Sequence, residues 1–207
     1  MAGLHGPVGK ISRRLGVGIT AKGARILNKR PTLPGQHGNT GRPPKISDYG
    51  MQLLEKQKLR LFYGLREKQF RNLFQEAQRM KGATGENLLS LLERRLDNAV
   101  YRQGLAVTRA QARQLVNHGH FAVNGVPTDI PSYRLRPGDR VTVTEKSRGS
   151  AYFKEFVASG GRKPVTPPDW FEQGSTDGLT WTVIAFPRRE HAELEVSEQV
   201  VVEFYSR

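Results

Sequence analysis

The stretch from Arg94 to Arg148, RRLDNAVYRQGLAVTRAQARQLVNHGHFAVNGVPTDIPSYRLRPGDRVTVTEKSR, decides the fold because the ends of its elements are clearly marked. Gly104 predicts the end of one helix. Thr108 predicts the start of the next, and Gln111 three residues later completes the pattern of a capping box. This second helix, TRAQARQLVNH, ends at Gly119, because glycine tolerates the left-handed conformation of a helix stop.

Beyond Gly119 the pattern changes from helix to strand. Asn124-Gly125 follows FAV and is the strongest short signal for a hairpin. Pro137-Gly138-Asp139 predicts a further turn before the alternating segment RVTVTE, which is typical of a strand. The stretch therefore predicts two helices followed by a small antiparallel sheet.

The same stretch is strongly basic. Between Glu93 and Arg148 there are ten Lys or Arg residues and five Asp or Glu residues. Arg109 and Arg113 are four residues apart, so they share one face of the second helix. A single pair of this kind indicates only a solvated face. The density of charge favours a helix that faces phosphates, because Arg102, Arg134, Arg136 and Arg140 crowd the same module. The phosphate contacts that we expect in this stretch are Arg94, Arg95, Arg109 and Arg113.

The overall composition indicates a polyanionic partner. The 207 residues carry a formal net charge of +14, and the charge is uneven along the chain. Residues 1–47 contain nine basic and no acidic residues, whereas residues 149–207 contain six basic and nine acidic ones. No apolar run approaches the ~20 residues that cross a membrane, and the start has no apolar core of a secretory signal. The chain is basic and has no cysteine, which fits a reducing compartment. We therefore expect the protein in the cytoplasm.

Residues 1–45 are rich in Gly and Pro and show no sustained apolar period, so the sequence predicts an extended basic segment. Two interpretations stay open: a disordered tail in the free protein, and an extension that folds along RNA. In the second, the phosphate contacts are Lys10, Arg13, Arg14, Lys22, Arg25, Lys29 and Arg30.

Residues 46–92 predict three helices. Ser47 or Asp48 caps the first, and the second carries Phe70, Leu73, Phe74 and Ala77 on one stripe. The apolar spacing from Leu88 to Val100 predicts that the third helix continues into the basic stretch. Basic residues lie largely off these stripes, where a solvated face is the default and RNA contact the favoured alternative; they are Lys56, Lys58, Arg60, Arg66, Lys68 and Arg71.

The acidic end of the chain predicts a different kind of surface. SAYFKEFVAS predicts a helix and LTWTVIAF a strand, and we expect Trp170 and Trp181 in the core rather than as stacking platforms. SEQVVVEFYSR predicts a short helix that returns to the helical region, because Ser197 can cap it. Its acidic side chains favour a protein neighbour over RNA, and the interface residues we expect are Glu198, Glu203 and Tyr205.

RLDNAVYRQGLAVTRAQARQLVNHGHFAVNG resembles the RNA-binding domain named after the fourth small-subunit ribosomal protein. That domain also occurs in pseudouridine synthases and other RNA-binding proteins. The flanking segments resemble the bacterial-type ribosomal protein family itself: PGQHG at 34–38, ISDYGMQLLEKQKLRLFYGL at 46–65, REKQFRNLF at 66–74, KGATGENLLSLLERRLDN at 81–98 and the ending VVVEFYSR.

The resemblance implies an α+β fold: a helical domain with an inserted RNA-binding domain of two helices on a small antiparallel sheet, preceded by the extended segment. The domains we expect are residues 1–45, residues 46–93 with about 186–207, and residues 94–185 with a core module at 94–148. Some relatives carry a four-cysteine zinc site near the start. This chain has no cysteine, so we expect neither that site nor another cofactor.

The resemblance also implies direct binding of small-subunit rRNA at a multi-helix junction, a role in nucleating assembly, and a contribution to translational accuracy together with the fifth small-subunit protein. Arg42 and Lys45 fall where relatives line the mRNA entry path. The source, bacterial or plastid, stays open, and so does repression of the protein's own mRNA. The alternatives are a free RNA-binding or RNA-quality-control factor, and an RNA-modifying enzyme, for which the chain has no room for a catalytic domain.

Overall fold

The computed structural model describes residues 6–39, 45–159, 167–194 and 196–206. The chain forms two compact units, one of residues 1–87 and 193–207 and the other of residues 88–192. The mixture of helices with one small antiparallel sheet confirms the predicted α+β class. The predicted domain boundaries stay a prediction.

The first unit begins with two short helices, α1 (Val8–Leu15) and α2 (Ala21–Lys29), followed by a 3-10 turn at Gln36–Asn39. This corrects the prediction of an extended segment. The Thr20 side chain accepts a hydrogen bond from the Gly23 N–H and starts α2, and Leu15 and Ile19 are buried. A Cβ at Gly23 would lie 2.2 Å from Ser12 Oγ, so the high glycine content allows close helix packing here rather than disorder.

The next helices of this unit are α3 (Asp48–Phe62), α4 (Glu67–Arg79) and the start of α5 (Thr84–Glu93). Ser47 caps α3 by accepting a hydrogen bond from the Gly50 N–H, which confirms one of the two predicted caps. The predicted stripe of α4 is buried. The C-terminal helix α10 (Glu198–Tyr205) packs on α3, which confirms the prediction of a short returning helix.

The prediction of one continuous helix from residue 88 to residue 100 is wrong. Helix α5 ends at Glu93, and a new helix, α6 (Leu96–Arg102), begins after Arg95. At the break the backbone pairs with a distant segment: the Leu135 N–H donates to the Arg94 carbonyl at 2.9 Å, and the Leu96 N–H donates to the Tyr133 carbonyl at 2.9 Å. These long-range bonds compensate for the helical bonds that are lost.

The second unit continues with α7 (Arg109–Asn117), α8 (Glu145–Arg148) and α9 (Ala151–Ala158). Its strands are β1 (Phe121–Val123), β2 (Val126–Pro127), β3 (Arg140–Val143), β4 (Phe171–Gln173) and β5 (Thr180–Val183). They form an antiparallel sheet in the order β2-β1-β3-β5-β4. Asn124 and Gly125, with φ of 52° and 82°, form the predicted hairpin turn, because both residues of a type I′ turn need positive φ.

The core of this unit lies between the helices and one face of the sheet. Phe121, Val141 and Trp181 are fully buried there, and Trp170 is nearly so. The prediction that both tryptophans belong to the core is therefore confirmed. Helix α9 and strand β5 also occur where the sequence predicts them.

Candidate nucleic-acid interface

The predicted phosphate contacts on α1 and α2 are mostly exposed. Arg13 is the most constrained member, because its Nε donates to the Thr32 carbonyl at 2.8 Å and one Nη donates to the Leu33 carbonyl at 3.0 Å. Arg13 therefore anchors the segment that follows α2. The exposed cations are Lys10, Arg14, Lys22, Arg25, Lys29 and Arg30. With no acidic side chain in residues 1–47, they form a concentrated positive surface.

The cations of α3 and the start of α4 divide into two groups. Arg66, Lys68 and Arg71 are exposed. Lys58 forms an ion pair with Glu55 on the same helix, and Arg60 lies 3.3 Å from Glu67. The first group is therefore more exposed to solvent than the second.

The prediction that Lys56 contacts phosphate is corrected, because this side chain is buried and paired with an acid. Its side chain is 5% exposed and its Nζ lies 2.6 Å from Glu67 Oε1. Tyr205 donates a hydrogen bond to the same oxygen at 3.0 Å. Partial burial by itself would raise the pKa of Glu67, but the hydrogen bonds from Lys56 and Tyr205 and the nearby positive charges hold that pKa below its ordinary value. Burial and the charge of Glu67 raise the pKa of Tyr205.

In the basic stretch, a buried acid, Asp97, holds Arg95 and Arg113. Arg95 is 3% exposed, and its Nε and Nη2 donate to the two carboxylate oxygens of Asp97 at 3.0 and 2.7 Å. Arg113 Nη1 lies 3.7 Å from the same carboxylate. The prediction that Arg95 contacts phosphate is therefore corrected, because the buried carboxylate already neutralises its charge.

A second buried group orients Arg109. The Glu93 carboxylate is fully buried, accepts a hydrogen bond from Asn98 Nδ2 at 2.9 Å and lies 3.6 Å from Arg102 Nε. Asn98 Oδ1 accepts a hydrogen bond from Arg109 Nε at 2.9 Å, and the Arg109 guanidinium lies 4.3 Å from the centre of the Tyr101 ring. Arg109 is thus positioned by hydrogen bonding and by a cation–π contact.

Arg94 occupies a different environment at the helix break. Its Nε donates to the Leu135 carbonyl at 2.8 Å, and its guanidinium carbon lies 4.7 Å from the centre of the Phe186 ring. Sequence reasoning missed Phe186, which is 52% exposed. It also omitted the exposed arginines Arg136, Arg140, Arg188 and Arg189 from the predicted contacts, although their residue type was a usable signal.

The predicted protein-interface residues all contact the chain's own first unit. Glu203 accepts a hydrogen bond from Gln52 at 3.2 Å, and the Tyr205 ring stacks on Phe74 with 4.5 Å between centres. Glu198 packs so closely on Gly85 that a Cβ there would lie 2.5 Å from Glu198 Cγ. Lys45, predicted at the mRNA entry path, is exposed, whereas Arg42 lies outside the described residues.

The histidines do not assemble a metal site in the described ranges, where no group of three or more His, Asp or Glu side chains is placed to hold a metal ion. His120 Nδ1 lies 2.8 Å from Ser147 Oγ. Burial and the neighbouring His118 lower the pKa of His120, so the neutral ring is favoured. Within the part of the chain that the structure describes, no helix is long and apolar enough to cross a membrane.

Comparison with known proteins places these features in a family. Residues 3–93 match the Ribosomal protein S4/S9 N-terminal domain, and residues 94–141 match the S4 domain. The chain is 59% identical to small ribosomal subunit protein uS4 of Roseiflexus castenholzii and 50% identical to that of Latilactobacillus sakei, in each case over all of both chains. It is 52% identical to uS4 of Persephonella marina over 97% of each chain. With this identity over its whole length, the chain belongs to the family of small ribosomal subunit protein uS4.

Proposed function

We propose that the protein is a structural component of the small ribosomal subunit that binds rRNA directly. Family membership supports this function. The observation that carries it is the exposed positive surface of α1 and α2, which belong to a segment, residues 1–47, that contains no acidic residue. The chain belongs with structural proteins of the ribosome rather than with enzymes. Its location is accordingly the ribosome, and we propose a cytoplasmic one.

Phosphate contact is the mechanism that this surface favours. Each Lys or Arg that neutralises a phosphate releases condensed counterions, so affinity falls steeply as salt rises. The exposed side chains available for this role are those of α1 and α2 together with Arg66, Lys68 and Arg71. Side chains of this kind read the shape of folded RNA more than its sequence.

The test is binding of the full chain to fragments of naked small-subunit rRNA, with a salt titration and a duplex RNA competitor. We expect tight binding to one junction fragment that survives the competitor, with a steep dependence on salt. Equal affinity for every RNA would mean a generic polycation and would contradict the proposal. A protein that leaves small subunits during a moderate salt wash would instead be a free RNA-binding or quality-control factor.

We further propose that the protein binds early at a multi-helix junction and nucleates assembly. The supporting observation is the presence of exposed cations in both units, on α1 and α2 in the first and at Arg136, Arg140, Arg188 and Arg189 in the second. Reconstitution with the protein left out tests this role. We expect loss of several other proteins from the particle, and their normal incorporation would contradict it.

A contribution to translational accuracy, through contact with the fifth small-subunit protein, is proposed for the acidic end. Glu203 is exposed on α10, and an acidic helix suits a basic protein neighbour. Glu203→Lys reverses the charge at this position, and we expect weaker cross-linking to that neighbour and more misreading in a reporter assay. Unchanged cross-linking would contradict this interface. Contact of Lys45 and Arg42 with mRNA at the entry path is proposed on the resemblance alone.

A further inference from the structure

The segment after strand β5 presents an aromatic ring to solvent beside a guanidinium group. Phe186 is 52% exposed, and the Arg94 guanidinium carbon lies 4.7 Å from the centre of its ring. Single exposed apolar side chains are common on protein surfaces, so exposure alone carries no function. The stacked guanidinium is the second observation, because it gives the exposed ring a positively charged partner.

A hydrogen bond holds Arg94, and Phe186 follows shortly after a strand that is itself tied to a neighbouring turn. Arg94 Nε is held by the Leu135 carbonyl at 2.8 Å. The turn beyond Leu135 is tied to the end of β5, because the Gly138 N–H donates to the Val183 carbonyl at 2.8 Å and the Val183 N–H donates to the Asp139 carbonyl at 3.0 Å. The Phe186 ring therefore lies on the segment that follows a paired strand. The Arg94 guanidinium is already positioned before any ligand binds.

The charge around the pair indicates which partner it suits. Arg188 and Arg189 follow Phe186 after one proline, and Arg136 lies in the turn that is tied to β5; all three are exposed. The ion pair of Arg188 with Glu190, at 3.8 Å with both side chains largely exposed, is of the weak surface kind. An apolar protein patch would not suit so many cations, whereas a nucleotide offers a flat base for the ring and a phosphate for the arginines.

We propose that Phe186 and Arg94 form a stacking site for one unpaired RNA base, with Arg136, Arg188 and Arg189 supplying the phosphate contacts around it. This site deepens the proposed rRNA binding and rests on it. It adds recognition of a single-stranded nucleotide, such as one in a loop or bulge, to the shape-dependent binding of paired RNA. Every base has an aromatic face, so the site selects unpaired over paired nucleotides rather than one base over another.

The experiment compares three variants of the full chain: Phe186→Ala, which removes the ring, Phe186→Trp, which keeps an aromatic face, and Ile184→Ala. Ile184 is the matched control, because it lies two residues away, is apolar and is 53% exposed. The probes are a single-stranded oligouridylate of about ten nucleotides, a length within the range that stacking proteins cover, and a blunt RNA duplex of the same length. Thermal unfolding of each variant checks that it is folded.

We expect Phe186→Ala to weaken binding of the oligouridylate by about 5-fold to 150-fold and to leave duplex binding unchanged. Phe186→Trp retains the affinity, and Ile184→Ala does so within about 2-fold. Ultraviolet cross-linking of the oligouridylate should map to residue 186 by mass spectrometry.

Equal losses for Phe186→Ala and Ile184→Ala would overturn the stacking site, as would an equal loss on the duplex or no loss at all. Failure of the unmodified chain to bind either probe or any rRNA fragment would instead contradict the underlying proposal of RNA binding. The two failures are therefore distinguishable.

Discussion

The cations of α1 and α2 and those between residues 93 and 113 are both dense in the sequence, but their surroundings differ. Lys10, Arg14, Lys22 and Arg25 are exposed in a segment without acids. Arg95 and Arg102 are buried and face the carboxylates of Asp97 and Glu93. The first set is available to an external polyanion, whereas the second organises the protein itself. A count of charges does not distinguish the two roles; burial and pairing do.

The largest expected effect comes from breaking the buried set. Asp97→Asn keeps the size of the side chain but removes the charge that faces Arg95 and Arg113. Removing one partner of a buried ion pair leaves an uncompensated charge, so we expect a loss of about 3 to 5 kcal/mol in the free energy of unfolding. Urea denaturation measures it.

Asp129→Asn is the matched control, because Asp129 is exposed, and we expect a change within about 0.5 kcal/mol there. Asp97→Asn also makes the net charge more positive. If positive charge acted only by its total amount, this variant would bind rRNA more tightly with unchanged stability. That result would contradict the division into two sets.

A smaller effect is expected at Glu67, where a buried cation meets a half-exposed acid. Glu67→Gln removes the charge opposite Lys56, whose side chain is 5% exposed, while 49% of the Glu67 side chain is in contact with solvent. Solvent screening weakens the pair, so we expect a loss of roughly 1 to 2 kcal/mol in the free energy of unfolding at neutral pH.

The same variant should change the dependence of stability on pH. The pKa of Glu67 in the folded protein is held below its ordinary value of 4.5, so its stabilisation is complete above that value. It is lost as pH falls through the lowered pKa. Urea titrations at a series of acidic pH values should therefore show a shallower decline for Glu67→Gln than for the unmodified chain. Equal declines in the two proteins would mean that protonation of Glu67 does not contribute to the dependence of stability on pH.

The sequence predicts the local elements well where short-range signals decide them. Each of these signals concerns residues only a few positions apart in the chain. The structure has a helix cap at Thr108 and at Ser47 and a turn at Asn124-Gly125. The break between α5 and α6 depends instead on bonds from Tyr133 and Leu135, about 40 residues away. No local pattern of apolar residues indicates a hydrogen-bond partner so far away in the chain. The helices α1 and α2 were missed for the opposite reason, since glycines that allow close packing resemble those of a flexible segment.

The candidate site shows the same difference between what local sequence indicates and what long-range contacts decide. The residue type identified Lys22, Arg25 and Lys68 as cations, and their exposure in the structure suits phosphate contact. Lys56 and Arg95 have the same residue types but are neutralised by Glu67 and Asp97. Asp97 is close in sequence to Arg95, so that pairing was within reach of sequence reasoning. The pairing of Arg94 with Phe186 joins residues far apart in the chain, and only the folded structure brings them together.

The smallest change in stability is expected from the exposed set, where the effect should appear in RNA binding. The double variant Lys22→Ala with Arg25→Ala removes two exposed cations of α2, and we expect the free energy of unfolding to change by about 0.5 kcal/mol or less. If both contact phosphates, the slope of log affinity against log salt falls by about 2. Filter binding to the junction fragment over a range of salt measures the slope.

The matched control removes the same charge elsewhere, through Lys146→Ala with Lys154→Ala, two exposed lysines of α8 and α9. Because the net charge falls by the same amount, a long-range field alone would reduce the slope equally in both double variants. A loss confined to the α2 variant would mean direct phosphate contact by α2. Equal losses would mean that the exposed cations act through total charge, and the distinction between the two sets would then concern stability alone and not RNA recognition.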